Sequence, residues 1–483
     1  MGKIIKKHYL KITFQLDSPL CIGSGRNDIT DQDILRDARG IPYIPGSAVA
    51  GVLREACKGI MDKKSWKYYF GYSSTNTGNK VKSDDDIIES QIIFYDATLV
   101  GDNKDKDGNP KYRISQRDGV ALNEYKSAKK QAKFDWEILE GDCKFQTFIE
   151  ISEEQSDVDE KVKADEVLTN IAKIWKETDI RFGAKTTRGY GKICNVEIIG
   201  KNFDFTLKDE ISSWLDFDIF EENSWENAIL YKDMLNTLMK DNIWTLKDNN
   251  RLSLKLRLEG GLSIRRYSTE CSDEESSPDQ EQLTTLSSGD EVAVIPGTTW
   301  AGAIGHRMEE LIEGSKKNRE NDTYEYHYFG AANDKDKEKS LIYFGESRLT
   351  GGEFKVMSRN AIDRFLGSTA EGALFTEKIY IGGETTLDIS FGDPYNTAVV
   401  YSDDFIKALA ATLTDLHEGY LAVGGATSVG RGIFSILKIN GVKLNECKLE
   451  GEANSVVFDK LYETLKALIG KKETENGTHK CQK

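Results

Sequence analysis

The chain has no run near the roughly 20 apolar residues that a membrane-spanning helix needs, so no helical span is expected. Its cysteines are scattered. Cys21, Cys57, Cys143, Cys194, Cys271, Cys447 and Cys481 include no CxxC pair and no histidine at zinc-ligand spacing, which points to reduced thiols. The five histidines, His8, His306, His327, His417 and His479, are too dispersed for a metal cage or a Cys/His nucleophile pair. An excess of positive charge is missing as well. Lysine and arginine number 65 against 80 acids, a net charge of −15, which excludes indiscriminate attraction to nucleic acid because that rests on phosphate neutralisation. Any RNA site must then be a local basic groove. The opening MGKIIKKHYLKITFQL alternates like a strand and lacks the apolar segment and cleavage site of a secretion signal. A cytoplasmic protein with no membrane partner is the expectation.

What is present is a repeat. With 483 residues, 39% of them hydrophobic, the chain suits two domains of about 200 residues each better than one core. LKITFQLDSPLCIG from Leu10 resembles LSLKLRLEGGLSIR from Leu252, both with strand-like alternation. IPYIPGSAVAGVL, with Pro45, is followed in kind by EVAVIPGTTWAGAI, with Pro296. YFG at Tyr69 and at Tyr328 each precede an apolar strand with an acidic end, Asp96 and Glu346. RDGVALNEYKSAKKQAKFDWEI from Arg117 parallels RNAIDRFLGSTAEGALFTEKI from Arg359, and GAKTTRGYGKI parallels GGATSVGRGIF. Five matches in one order predict a duplicated unit. The expected domains are 1–200, an acidic and aromatic connector over 201–250, 251–445, and a C-terminal helix with a polar tail over 446–483.

Several motifs can carry chemistry. In IPGSAVAGVLREA, Ser47 stands before an apolar helical run as an N-cap would, and the amides of such a helix start attract phosphate. An ordinary strand-to-helix turn gives the same pattern. Gly46, Ser47 and Arg54, with Gly297, Thr298 and Arg307 in the second copy, are the candidates here. The loop RFGAKTTRGYGKI joins close-approach glycines to Lys185, Thr186, Thr187, Arg188 and Tyr190, with Tyr190 available to stack on a base; a glycine-rich hairpin is its plain reading. The second copy keeps Ser428 and Arg431. KSAKKQAK, with Lys126, Lys129, Lys130 and Lys133, is a basic contact surface or a solvated face, and its partner element carries Arg359 and Arg364. Asp28, Asp31, Asp33 and Asp37 crowd the loop between Gly23 and Pro42, where carboxylates either hold a divalent metal or form surface turns.

Together, a glycine closing the first strand, the acidic loop, RDxxGxPYIPGSxxxGxLR and the late GxxTxRGYG loop resemble the RAMP superfamily, and within it the backbone subunits of type III CRISPR complexes. Two units in one chain look like the fused double backbone proteins of subtype D. The resemblance implies an α+β fold of two tandem ferredoxin-like, modified RNA-recognition-motif domains, each with an inserted thumb hairpin. These thumbs would begin at Arg117 and Arg359. It implies guide RNA and complementary target RNA as partners, with other backbone and small subunits and a large polymerase-like subunit. It also implies cleavage of target RNA beside each thumb with Mg2+ or Mn2+, through a loop aspartate that falls on Asp31 in DQDILRD. Asp31 would orient a ribose 2′-hydroxyl or bind the metal. In the second copy the loop alignment sets Gln280 opposite Asp31, with Asp279 one residue away as the nominee. Where the family often has a lysine this chain has Ala50 and Ala301, so that contact is either absent or supplied by Arg54 or Arg307.

Overall fold

The computed structural model describes residues 3–25, 31–73, 87–101, 112–122, 128–155, 163–237, 250–266, 278–287, 289–313, 328–332, 337–392, 401–444 and 453–470. The chain divides into two compact units, with Met1–Asn249 in the first and most residues from Asn250 onward in the second. No helix among the described residues is long and apolar enough to cross a membrane.

The first unit is built on β1 (Ile4–Leu16), where alternation buries Leu10, Ile12, Phe14 and Leu16 on one face. Helices α1 (Gly46–Lys58) and α2 (Lys63–Phe70) follow, then the short strands β2 (Ile92–Phe94) and β3 (Ala97–Leu99). A hairpin of β4 (Ile114–Leu122) and β5 (Ala128–Leu139) is inserted before β6 (Lys144–Glu154), α3 (Ala164–Glu177) and β7 (Ile193–Asp204). In the sheet β1 lies between β7 and β6, and β6 takes β2 and β3 on its other side, all antiparallel. Numbering the four core strands in chain order, this is the 4-1-3-2 arrangement of a ferredoxin-like βαββαβ fold. Phe14 packs among Phe145, Trp175 and Phe182 under α3; side chains this buried each contribute about 2 kcal/mol.

The second unit repeats the plan. β8 (Arg251–Glu259) buries Leu252, Leu254, Leu256 and Leu258; α4 (Gly297–Glu313) and β9 (Ile342–Phe344) follow. The hairpin of β10 (Glu353–Ile362) and β11 (Thr369–Ile381) precedes β12 (Glu384–Phe391), α5 (Asp403–Glu418), β13 (Ile433–Ile439) and a final helix α6 (Ala453–Ile469). β8 lies between β13 and β12, and β12 carries β9, which is the same strand order. The two inserted hairpins are the thumbs, and they begin at Ile114 and Glu353, before Arg117 and Arg359.

The described part of the acidic connector, residues 201–237, packs on the outer face of the first sheet. Phe203, Phe205, Trp214, Phe217 and Trp225 close over Tyr9 and Phe148, and Trp214 Nε1 donates to the Tyr9 hydroxyl at 2.8 Å.

Candidate nucleic-acid interface

In each unit the loop following the first strand runs alongside the second strand of the thumb. Asp31 donates its amide to Asp135 Oδ1 at 3.0 Å, and the Asp135 amide donates back to Asp31 Oδ2 at 3.3 Å. Further along, the Glu137 carboxylate accepts from the Ile34 amide at 3.0 Å and from Arg36 at 2.8 Å. The second unit repeats the clasp: the Thr376 amide donates to Asp279 Oδ2 at 2.7 Å, and the Asp279 amide donates to the Thr376 carbonyl at 2.8 Å. Asp279, and not Gln280, therefore stands where Asp31 stands; Gln280 pairs one step further along β11, opposite Glu377. Both aspartates are exposed at the thumb root.

Strand register fixes which thumb residues correspond. Leu20 bridges Leu139 as Leu262 pairs with Tyr380, which makes Asp135 the counterpart of Thr376 and Trp136 that of Glu377. Arg117 pairs with Trp136, and Met357 pairs with Glu377. Arg117 thus corresponds to Met357, and the sequence match of Arg117 with Arg359 is shifted by two residues, a slip that keeps the same strand face. Cross-strand from Asp135 lies Asp118, whose carboxyl is pushed above the usual range by burial and by Asp135, against the pull of Lys133. The second unit has Ser358 and Thr376 at these positions, hydroxyl to hydroxyl at 3.4 Å. An acidic pair has become a neutral one.

The late glycine loop has one backbone in both units. Lys185 and Ala426 take left-handed φ values of 58° and 56° before a 3-10 turn, Thr186–Arg188 or Thr427–Val429. Gly191 and Gly432 then have φ of 70° and 71°, and a Cβ there would lie 1.8 Å from the carbonyl oxygen of Phe182 or Val423. Only glycine tolerates both conditions. The side chains differ. In the first unit the Lys185 ammonium lies over Trp136, 3.1 Å from the ring centroid, and over Phe134 at 4.6 Å; burial brings its pKa down to about 8. In the second unit Ala426 and Val429 replace Lys185 and Arg188, and Arg265 lies beside Gly425 on the neighbouring segment.

Several residues expected to face RNA do other work. Tyr190 is 2% exposed and packs edge-to-face on Trp136, together with Cys21 and Ile138, so it has no free face for a base. Arg431 is buried and bidentate on Glu377, which Arg359 also reaches at 2.7 Å. Arg307 is held by Asp415 and Glu310, each at 2.8 Å. Arg54 stacks on Trp66 and donates to the Gly71 carbonyl at 3.2 Å. Arg117 is buried within the thumb root.

Ser47 is not an N-cap: α1 begins at Gly46 behind Pro45, with no side-chain cap, and the Gly46 amide donates to Asp96 Oδ1 at 2.7 Å. That carboxylate occupies the helix start a phosphate would use. Gly297 is likewise the first residue of α4, behind Pro296, with Thr298 exposed as its second residue.

Lys130, Lys133, Arg364 and Ser428 are exposed, Lys133 being 3.9 Å from Asp118. Lys129 lies on β5, while Lys126 and Asp28 fall outside the described residues. Asp37 is a turn aspartate, accepting from the Arg39 and Ile41 amides, and Asp33 is buried on a short strand.

Sequence reasoning passed over Asp135, Trp136, Glu377 and Arg265. The alternation of KFDWEI along β5 was the available signal, since it places Asp135 and Glu137 on the face opposite Trp136.

No group of three or more His, Cys, Asp or Glu side chains converges as a metal cage among the described residues. Magnesium is commonly held by one or two carboxylates with water and phosphate oxygens, and Asp31 and Asp135 are the two carboxylates that the clasp brings together.

Comparison with known proteins returns no curated match. Among solved structures, a chain from the cryo-EM structure of the Type III-B Cmr-beta bound to cognate target RNA resembles this one at 17% identity with a TM-score of 0.29, over 40% of this chain and 61% of that chain. The match thus spans less than two thirds of that chain. The family model described as RAMP superfamily matches residues 13–194 and 208–435, two stretches that together take in both ferredoxin-like cores, and the chain belongs to the RAMP superfamily.

Proposed function

We propose that the chain is a guide-RNA-binding double backbone subunit of a type III CRISPR effector complex, in which the first unit cuts complementary target RNA beside its thumb. The observation that carries this reading is the clasp of Asp31 with Asp135, an exposed carboxylate pinned to the root of a thumb and reproduced at the same place in the second unit by Asp279 and Thr376. A carboxylate held this way by a backbone amide of the thumb is pre-oriented for a ribose 2′-hydroxyl lying there. Attack of that oxygen on the adjacent phosphate expels the 5′-oxygen of the next nucleotide and leaves a 2′,3′-cyclic phosphate. Asp31 and Asp135 would hold Mg2+ or Mn2+, which when bound stabilises charge developing on the phosphate. The cation at the glycine loop, Lys185, contacts the guide backbone, and sequence is read by base pairing.

The second unit keeps the loop aspartate but lacks the carboxylates of Asp118 and Asp135. That difference favours one cutting unit and one gripping unit per chain. Binding of guide RNA by the full chain, wild type against Lys185→Ala, tests the grip: the variant is expected to bind about tenfold more weakly across unrelated guide sequences, with a shallower salt dependence. Unchanged binding removes the loop from the RNA path. A subunit that binds and supports assembly but never cuts is the alternative, and Asp31→Ala decides between them.

A further inference from the structure

The connector carries a surface that the RNA reading leaves without a role. On the helix Lys208–Leu215, Leu207 at its cap, Ile211 and Leu215 are 52%, 36% and 71% exposed. Spaced four apart, they line one side of the helix for about 12 Å. Trp214, three residues past Ile211 and at the edge of the stripe, ties the helix to the unit: it bonds Tyr9 and packs on Phe205 with ring centroids 5.1 Å apart. The stripe is therefore presented on an anchored helix.

Its surroundings are strongly acidic. From Asp204 to Glu226 the sequence holds eight acids and the single base Lys208. Asp204 pairs with Lys6 and Glu222 with Lys11. The remaining six carboxylates, among them Asp209, Asp216, Asp218 and Glu221, enter no ion pair among the described residues. An apolar stripe in such a rim repels the phosphates of RNA. A symmetric contact with a second copy would set these acids against themselves.

We propose that this helix docks a separate protein through a segment that is apolar along one side and flanked by lysine or arginine. The inference rests on the chain being a subunit of a ribonucleoprotein, and it assigns the connector to protein contact, apart from RNA.

The test places the photo-crosslinking residue benzoylphenylalanine at Ile211 in the full chain, assembled with its guide RNA and companion subunits. The expected product is a crosslink to a lysine- or arginine-flanked apolar segment of a different protein. The double substitution Ile211→Glu and Leu215→Glu is expected to reduce the amount of that protein in the complex at least tenfold while guide RNA is retained. Both side chains are solvent-facing, and an unchanged circular dichroism spectrum checks that the fold is intact. A crosslink to RNA or to a second copy, or an assembled complex with no crosslink, overturns the docking inference and leaves the RNA reading in place. Failure of the wild-type chain to assemble with RNA at all overturns both.

Discussion

Arg431 grips Glu377 in a buried bidentate ion pair at the position where, in the first unit, Tyr190 meets Trp136 edge to face. One side chain comes from the glycine loop and the other from the thumb in both cases, so the two units lock loop to thumb by different chemistry. Burial alone would raise the Glu377 carboxyl, and Arg431 and Arg359 together hold it below the ordinary range. Removing Arg431 leaves the buried carboxylate with Arg359 as its remaining partner, at 2.7 Å. Arg431→Ala is expected to destabilise the second unit by about 3 kcal/mol, read as an earlier transition in chemical denaturation of the full chain. Because the folded carboxyl is depressed, the stabilisation is present above its unfolded value and is lost as pH falls through the folded one. Arg431→Ala should flatten that acid limb, and an unaltered limb would show that the pair carries no such energy.

Gly191 and Gly432 make a matched prediction. Each has a left-handed φ and a neighbouring carbonyl oxygen where a Cβ would lie, so alanine at either position should cost more than about 2 kcal/mol. Gly51, exposed on α1 with open space around it, behaves oppositely: Gly51→Ala should stabilise by roughly 0.5–1 kcal/mol. Thermal denaturation of the three variants checks the contrast, and equal effects at all three would contradict it.

The duplication and the alternating first strands were legible because each writes a pattern into neighbouring residues, whereas the thumbs followed from the resemblance to the family. Leu10 to Leu16 and Leu252 to Leu258 show the period of two directly. The roles of individual polar residues were not legible in the same way, because partners such as Asp31 and Asp135, or Arg431 and Glu377, lie far apart in sequence and meet only through the register of the thumb. Tyr190 shows the cost of reading composition without burial: a tyrosine in a glycine loop looks available for stacking, but the loop turns it inward onto Trp136. Arg307 and Arg54 likewise have partners, Asp415 and Trp66, that no neighbouring residue announces. The two-residue slip between Arg117 and Arg359 has a similar cause, since a shift of two keeps every side chain on its face.

Lys185 gives RNA binding a pH signature. Burial over Trp136 brings its pKa to about 8 from the ordinary 10.5, and a bound phosphate would restore the charged form. Guide RNA affinity should therefore fall by up to about tenfold between pH 7 and pH 9 at fixed salt. Lys185→Arg, charged throughout, should remove the slope. Without RNA the sign reverses: between about 8 and 10.5 the unfolded chain binds the proton that the folded one has released, so this residue makes stability rise with pH across that window. Lys185→Met should abolish the rise. A flat affinity profile in the wild type would exclude Lys185 from the contact.

The central claim is that a single loop aspartate, held to its thumb, cuts RNA in the first unit. Cleavage of an end-labelled complementary RNA by the assembled guide complex with magnesium tests it most directly, comparing wild type, Asp31→Ala and Asp279→Ala with target binding measured alongside. Loss of one cut by at least a hundredfold in Asp31→Ala at unchanged binding, with the pattern of Asp279→Ala like that of wild type, is the predicted result. Cutting that persists undiminished in Asp31→Ala would contradict the account and leave the chain a non-cutting backbone.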